Sequence, residues 1–147
     1  MDRGVAVVVA TAIGGMLALQ APMNSMLGRS VGGFQATIVA YCVGLSALLA
    51  VSVFAGGLGG IARVGDAPWW ALVGGGLIGA LYVSSIVWTV RTLGATGLTA
   101  VTIAGQFAVA LIVDHFGWLG VERQPITAAR LAGLALVAAG TWLIVAD

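Results

Sequence analysis

Residues 33–55 read GFQATIVAYCVGLSALLAVSVFA, and no Asp, Glu, Lys or Arg interrupts them. A helix needs about 20 predominantly apolar residues to cross the hydrocarbon core of a bilayer, so this stretch is long enough for one crossing. A strand of a membrane β-barrel would alternate polar with apolar residues, and the run from Ala47 to Val51 does not alternate. The stretch therefore predicts a transmembrane helix.

Four further stretches have the same apolar character and similar lengths. They cover about residues 4–21, ending before Pro22; 69–90, beginning at the Trp69–Trp70 pair; 93–113, ending before Asp114; and 126–146, with Arg130 in the first turn. Together with residues 33–55 they predict an all-α, polytopic membrane protein of five transmembrane helices. The short connections leave no room for a soluble domain, so residues 1–147 are expected to form a single transmembrane domain with antiparallel neighbours.

The composition excludes several classes of protein. Of the 147 residues 61% are apolar and 7% are charged, whereas a soluble domain carries about 25% charged residues. A net charge of +1 without a basic patch argues against binding to nucleic acid. The chain has no phosphate-binding loop, zinc-ligand spacing or nucleophile elbow, and the lone Cys42 has no cysteine partner. We therefore expect a protein surrounded by the lipid bilayer that is not an enzyme and uses no cofactor or metal.

The arginines give little preference for one orientation in the membrane. With five crossings the arginines divide between the two sides, Arg3, Arg63 and Arg123 with Arg130 on the N-terminal side and Arg29 and Arg91 on the other. The positive-inside rule favours a cytoplasmic N-terminus, but only by this small difference. Two interpretations stay open: one fixed orientation, or insertion in both. A chain that inserts both ways can pair with an inverted copy of itself and reproduce the inverted repeat of alternating-access transporters.

Uncharged polar residues follow single faces of the predicted helices. Thr99, Thr102 and Gln106 share one face of the fourth helix, and Tyr82 and Ser85 share one face of the third. Such a stripe should contact another helix or a water-filled path. The ordinary alternative for a Ser or Thr hydroxyl is a hydrogen bond to the backbone carbonyl one turn back.

Amide side chains are stronger candidates for a binding site, because a helix backbone cannot satisfy all four of their hydrogen-bonding positions. The residues predicted to line a substrate-binding cavity are Gln20, Asn24, Tyr41, Tyr82 and Gln106. Their hydroxyl, amide and aromatic groups suit a neutral or weakly cationic small molecule.

Ionisable residues are absent from the centres of the predicted helices, which argues against coupling through a buried carboxylate. Asp114 and His115, at the end of the fourth helix, are the candidates for proton coupling. The alternative is that they mark the end of a helix at the membrane interface.

Several motifs resemble a known family. Gln20-Ala21-Pro22-Met23-Asn24-Ser25-Met26-Leu27-Gly28-Arg29, Gly79-Ala80-Leu81-Tyr82-Val83, Ala104-Gly105-Gln106 and Asp114-His115-Phe116-Gly117 resemble the YdcZ family, a short five-helix branch of the drug/metabolite transporter (DMT) superfamily. The resemblance implies a DMT-like half-transporter of the bacterial inner membrane that works as an inverted, antiparallel dimer. By matching motif, the retained family positions are Gln20, Asn24, Tyr82, Gln106, Asp114 and His115. One departure is Val90 before Arg91, where the resemblance leads us to expect proline.

The leading hypothesis from the sequence is a membrane transporter of a metabolite or drug-like compound. It would act as an exporter by alternating access, in a dual-topology homodimer formed with an inverted copy. Two alternatives come from other classes of protein. A dual-topology channel for a small ion would show flux without counterflow, and a non-transporting accessory subunit would show no flux alone.

Overall fold

The computed structural model describes residues 2–146, so Met1 and Asp147, which the predicted domain includes, lie outside the described residues. Within residues 2–146 all regular secondary structure is helical, without a strand, which confirms the all-α prediction. The α-helices are α1 (Arg3–Val31), α2 (Gly33–Ala55), α3 (Trp69–Phe116) and α4 (Ala128–Val145), with 3-10 helices at Gly59–Asp66 and Trp118–Gly120. Each of these four α-helices is long and apolar enough to cross a membrane.

The helix α1 continues through Pro22 and ends at Val31, so the prediction that the first helix stops before Pro22 is wrong. Proline removes one helical hydrogen bond, but transmembrane helices tolerate this loss when nearby groups satisfy the freed carbonyl. Gly32, with φ 97°, is the single residue between α1 and α2, and its N–H donates to the Gly28 carbonyl oxygen at 3.1 Å. The residues after Pro22, which read as a loop in the sequence, therefore extend α1.

The helix α3 contains 48 residues and is interrupted at Gly94, where φ is 68° and ψ is 173°. The sequence predicts separate helices at 69–90 and 93–113, and both ranges fall inside α3. The break lies at the glycine rather than at Arg91, because Arg91 adopts helical geometry and only Gly94 leaves it. The interruption divides α3 into segments 69–93 and 95–116.

The start of α4 is set by a capping residue. The Thr127 Oγ1 atom accepts a hydrogen bond from the backbone N–H of Arg130 at 3.3 Å, so α4 begins at Ala128 instead of the predicted 126. A threonine at this position satisfies one of the N–H groups that a helix leaves free in its first turn.

The chain forms two compact units, of which the first ends at Arg91 and the second begins at Thr92. In the first unit, α1, α2 and residues 84–91 of α3 pack closely, and we call this region the three-helix junction. Its buried residues are Ala21, Asn24, Ser25 and Gly28 of α1, Ala36 and Thr37 of α2, and Ile86, Val87 and Val90 of α3. The α1 members recur at intervals of three and four residues, so they form one face of that helix.

Small residues bring the three helices together at the junction. A Cβ atom built on Gly28 would lie 2.8 Å from the Val87 Cγ1 atom, and one built on Gly33 would lie 2.5 Å from the Trp88 ring. In lipid, helices associate through such close approaches because apolar side chains gain nothing by leaving a hydrocarbon solvent. The glycines of α1 and α2 are therefore what allows α3 to pack here.

The second unit contains two helical segments, which are residues 95–116 of α3 and the whole of α4. The Thr141 Oγ1 atom donates to the Ala100 carbonyl oxygen at 3.1 Å, and a Cβ built on Gly133 would meet the Phe107 ring at 3.9 Å. Across the described chain most large apolar side chains are exposed, up to 91% for Phe54. Such a surface suits contact with lipid or with another membrane helix rather than with water.

Candidate functional site

The first unit contains a cavity of about 530 Å³ between its three helices. Its lining residues are Gln20 of α1, Ala40, Tyr41, Cys42, Gly44, Leu45 and Leu48 of α2, and Val83 of α3. The volume falls within the range of about 300–1,000 Å³ that is typical of small-molecule sites. The wall is mostly apolar, with polar groups from Gln20 and Tyr41.

The three-helix junction lies at one end of this cavity. In α1 the lining residue Gln20 precedes the junction residue Ala21, and in α2 the lining begins at Ala40, just after Thr37. In α3 the lining residue Val83 is followed by the junction residue Ile86. On each of the three helices the junction therefore begins within roughly one turn, about 5.4 Å, of the cavity lining.

A second, smaller groove of about 370 Å³ runs along α1. It is lined by Ile13, Met16, Leu17, Gln20, Met23 and Asn24. Gln20 lines both the groove and the cavity, and Asn24 lies four residues further on the same face of α1. The two predicted amides of α1 thus occupy neighbouring positions.

Asn24 carries an unsatisfied donor. The residue is 7% exposed, and its Nδ2 atom is buried without a hydrogen-bond partner among the described residues. A buried donor without an acceptor costs about 1–3 kcal/mol. Most buried polar groups in proteins are satisfied, so this amide needs an acceptor that the first unit does not supply in this conformation.

Arg91, which the sequence predicts to lie in a loop, instead contacts α1. Its Nε atom donates to the Ser25 Oγ atom at 3.1 Å, and its Nη2 atom donates to the Ser25 carbonyl oxygen at 3.3 Å. These bonds connect the end of the first α3 segment to the buried face of α1. An arginine just after an apolar run is the only local signal, and its pairing with Ser25, 66 residues away, depends on tertiary structure.

The hydroxyl stripes are satisfied within their own helices. Thr99 donates to the Ala95 carbonyl at 2.8 Å, Thr102 to the Leu98 carbonyl at 2.9 Å, and Ser85 to the Leu81 carbonyl at 2.7 Å. Each of these is a bond to the carbonyl one turn back, which is the ordinary alternative to contact with another helix or with water. These hydroxyls therefore do not require a water-filled path.

Two of the five predicted cavity residues line the cavity of the first unit. Gln20 and Tyr41 line the same cavity, and Asn24 lines the adjoining groove. The Tyr41 hydroxyl faces Gly79 of α3, where an added Cβ would lie 2.8 Å from it. Tyr82 is 39% exposed and lines neither space, and Gln106 is an exposed residue of the second unit. A role in binding stays a prediction for all five.

Asp114 and His115 belong to a polar cluster at the end of α3. The Asp114 carboxylate lies 3.7 Å from the Arg130 Nη1 atom, and the Arg130 guanidinium also donates to the Gln124 side chain. The Nδ1 atom of His115 accepts from the Ile126 N–H at 3.4 Å. With about a third of each side chain of the ion pair exposed, the pair is worth about 0–1 kcal/mol. Its contacts hold the loop after α3 in place rather than contributing much stability.

The chain is similar to known membrane proteins. A family model described as "Putative inner membrane exporter, YdcZ" matches residues 5–143, from the first turn of α1 to the last turn of α4. The "Inner membrane protein YdcZ" of Escherichia coli (strain K12) is 28% identical over 103 residues, which are 69% of this chain and 68% of that protein. No solved structure matches the chain.

Proposed function

The chain belongs to the YdcZ family, and we propose that it exports a small solute by alternating access. It is a multi-pass protein of the bacterial inner membrane, and its family is described as one of exporters. The observation that carries the proposal is the cavity of about 530 Å³ in the first unit, whose lining begins within about one turn of the three-helix junction. Alternating access requires a solute site that is closed to one side of the membrane at a time, and the closely packed junction would provide that closure.

Five membrane crossings and an inverted homodimer complete the proposal. The interruption at Gly94 divides α3 into segments of 25 and 22 residues. They extend about 37 and 33 Å, so each is long enough for its own crossing. A single transmembrane domain of five crossings puts its ends on opposite sides of the membrane. The near balance of arginines between the sides then supports insertion both ways, and an inverted partner would supply a second cavity that opens in the opposite direction.

Transport should appear as counterflow in liposomes that contain only this chain. Solutes that raise the Tm of the purified protein, drawn from a panel of metabolites and cationic drugs, are tested for saturable flux. Excess unlabelled solute inside the vesicles should then drive transient accumulation of labelled solute from outside. Flux without saturation or counterflow would indicate a channel, and absence of flux for solutes that bind would indicate an accessory subunit.

The same assay tests the proposed role of Asp114 and His115 in proton coupling. Flux is measured with and without a pH gradient, both for the unchanged chain and for the variant that combines Asp114→Asn with His115→Ala.

Dual orientation should appear as labelling of both ends of α2 from outside the cell. On a Cys42→Ala background, Ser30→Cys places a thiol at the end of α1, and Val64→Cys places one in the 3-10 helix after α2. The two positions lie at opposite ends of α2. An impermeant maleimide added to intact cells should label about half of each variant if both orientations occur equally. Labelling of one variant and not the other would show a single fixed orientation.

A further inference from the structure

The composition and the depth of the cavity in the first unit point to one chemical class of solute. We infer that the cavity takes an uncharged, mainly apolar molecule whose polar group forms hydrogen bonds with Gln20 and Tyr41. This inference rests on the proposed transport function and specifies its substrate class. The sequence also allows a weakly cationic solute, and the wall of the cavity argues against that class.

The first step is the lack of charge in the wall. The lining of the cavity contains no Asp, Glu, Lys, Arg or His. The charged residues of the first unit all lie elsewhere, at Asp2, Arg3, Arg29, Arg63, Asp66 and Arg91. Arg91 is eight residues beyond the lining residue Val83 on α3, about 12 Å along the helix axis, and its guanidinium donates to Ser25. A charged solute would therefore meet no opposite charge in the wall.

The second step is the depth of the cavity in the membrane. The helix α2 has 23 residues, so it extends about 35 Å and matches the roughly 30 Å of the hydrocarbon core. Gly44 is its central residue, and the lining residues of α2 run from Ala40 to Leu48. They lie within about 6 Å of the helix centre along its axis. When α2 crosses the membrane, this part of the wall is therefore close to the middle of the bilayer.

The depth decides between an uncharged and a cationic solute. A charged group at the centre of the bilayer is disfavoured about 100-fold. The one attraction that the wall offers to a cation is the aromatic ring of Tyr41, and a contact between a cation and such a ring recovers about 2- to 30-fold. The loss exceeds the gain, so an uncharged solute is favoured.

The third step is the fit of the solute to the wall. The Gln20 amide can donate and accept hydrogen bonds, and so can the Tyr41 hydroxyl, which makes both complementary to a neutral amide or alcohol. The remaining wall, which includes Leu45, Leu48 and Val83, would contact an apolar body. An apolar cavity of about 150 Å³ holds one benzene molecule, so the cavity of about 530 Å³ has room for two or three rings.

Cys42 provides a direct readout, because it is the one cysteine of the chain and it lines the cavity. The purified full-length protein is labelled with N-ethylmaleimide at pH 7 in the presence of 2-naphthamide, 2-naphthoate or 2-naphthylmethylamine, which share two rings and differ in charge. The neutral 2-naphthamide at ten times its dissociation constant should slow labelling of Cys42 about tenfold. The anion and the cation should each need at least about tenfold higher concentrations for the same protection.

A second thiol controls for effects of the compounds on the detergent micelle. Val43→Cys with Cys42→Ala moves the thiol by one residue, to the side of α2 away from Leu45 and Leu48. Val43 is 64% exposed and lies outside the cavity. None of the three compounds should slow labelling at this position.

Variants of Gln20 test the cause of the selectivity. Gln20→Glu puts a carboxylate in the wall, so it should improve protection by 2-naphthylmethylamine about tenfold. The matched control is Gln35→Glu, at an exposed residue of α2 outside the cavity, which should leave protection by this amine unchanged. Gln20→Leu removes the amide and should weaken protection by 2-naphthamide about fivefold. The comparison of the three compounds on the unchanged protein stands even if a Gln20 variant fails to fold.

Two kinds of result overturn the inference. Protection by the anion or the cation as strong as protection by 2-naphthamide would show that the uncharged wall does not select the solute, and protection by none of the three compounds would show that the cavity does not take such a molecule. Either result leaves the transport proposal intact, since a solute of another class can still show counterflow. Protection by 2-naphthamide without counterflow of any solute that binds would instead overturn the proposed function and leave the binding site.

Discussion

Replacing Gly94 with alanine should lower the free energy of unfolding by about 1–3 kcal/mol, which is the cost of a non-glycine residue in this backbone region. Gly94 has φ 68° and ψ 173°, a conformation that L side chains rarely adopt. No atom lies within 4 Å of a Cβ built at this position, so the penalty comes from the backbone and not from a clash. Thermal unfolding of the purified protein in detergent measures it.

The matched control for Gly94 is Gly105→Ala in the same helix. A Cβ at Gly105 also meets nothing within 4 Å, but Gly105 has no positive φ. Alanine in a regular helix is better than glycine by about 0.5–1 kcal/mol, so this variant should be neutral or slightly more stable. Equal effects of the two substitutions would show that the chain does not need the interruption at Gly94.

The interruption matters because of the length of α3. An uninterrupted helix of 48 residues would be about 72 Å long, more than twice the roughly 30 Å thickness of the hydrocarbon core. One crossing cannot bury that length, whereas segments 69–93 and 95–116 each match one crossing. A variant that favours a continuous helix should therefore also reduce the amount of protein found in the membrane.

Replacing Gly28 with alanine should destabilise the three-helix junction by about 1–3 kcal/mol through overpacking. The added Cβ would lie 2.8 Å from the Val87 Cγ1 atom and 3.3 Å from the Arg91 Nη2 atom. Val87 is fully buried and β-branched, so its side chain has little freedom to move away. The fall in Tm relative to the unchanged protein measures the effect.

Two further variants identify the cause of that loss. Gly14→Ala lies on the same helix with nothing within 4 Å, and it should leave the Tm unchanged or slightly raised. Gly28→Ala combined with Val87→Ala removes the clashing methyl groups and should recover part of the stability lost by Gly28→Ala alone. If the double variant is as unstable as the sum of the two single variants, the close approach of α1 to α3 is not the source of the loss.

The proposed transport cycle depends on the same junction. Gly28 and Val87 have a structural role there, and the lining of the cavity begins within about one turn of the junction. A solute that binds in the cavity would stabilise the conformation that it prefers, by the difference in its affinity for the two conformations.

The positions of the apolar helices follow from local properties of the chain. Length, lack of charge and hydropathy predict the range 33–55, and α2 occupies Gly33–Ala55. The predicted helix boundaries are wrong where a residue that often ends a helix lies inside one. Pro22 reads as a helix stop but lies inside α1, while Arg91 reads as a loop residue but lies in α3, and Gly94 provides the interruption.

The candidate site shows the same division. Gln20, Asn24 and Tyr41 can be predicted as site residues from the sequence, because amides and hydroxyls are costly in hydrocarbon wherever they lie. Their grouping on two helices around one cavity, and the absence of Tyr82 from its wall, are properties of how the helices pack. The contact between Arg91 and Ser25 has no signature in the sequence near either residue.

The sequence by itself determined that the chain is an all-α membrane protein, because the free energy of placing a segment in lipid depends on that segment's own composition and length. Its motifs also indicated the family that the comparison established. Only the tertiary structure decided which polar groups lie together, where α3 is interrupted and which arginine reaches the buried face of α1. Those features depend on contacts between residues far apart in the chain, and such contacts form only where small residues such as Gly28 let two helices approach.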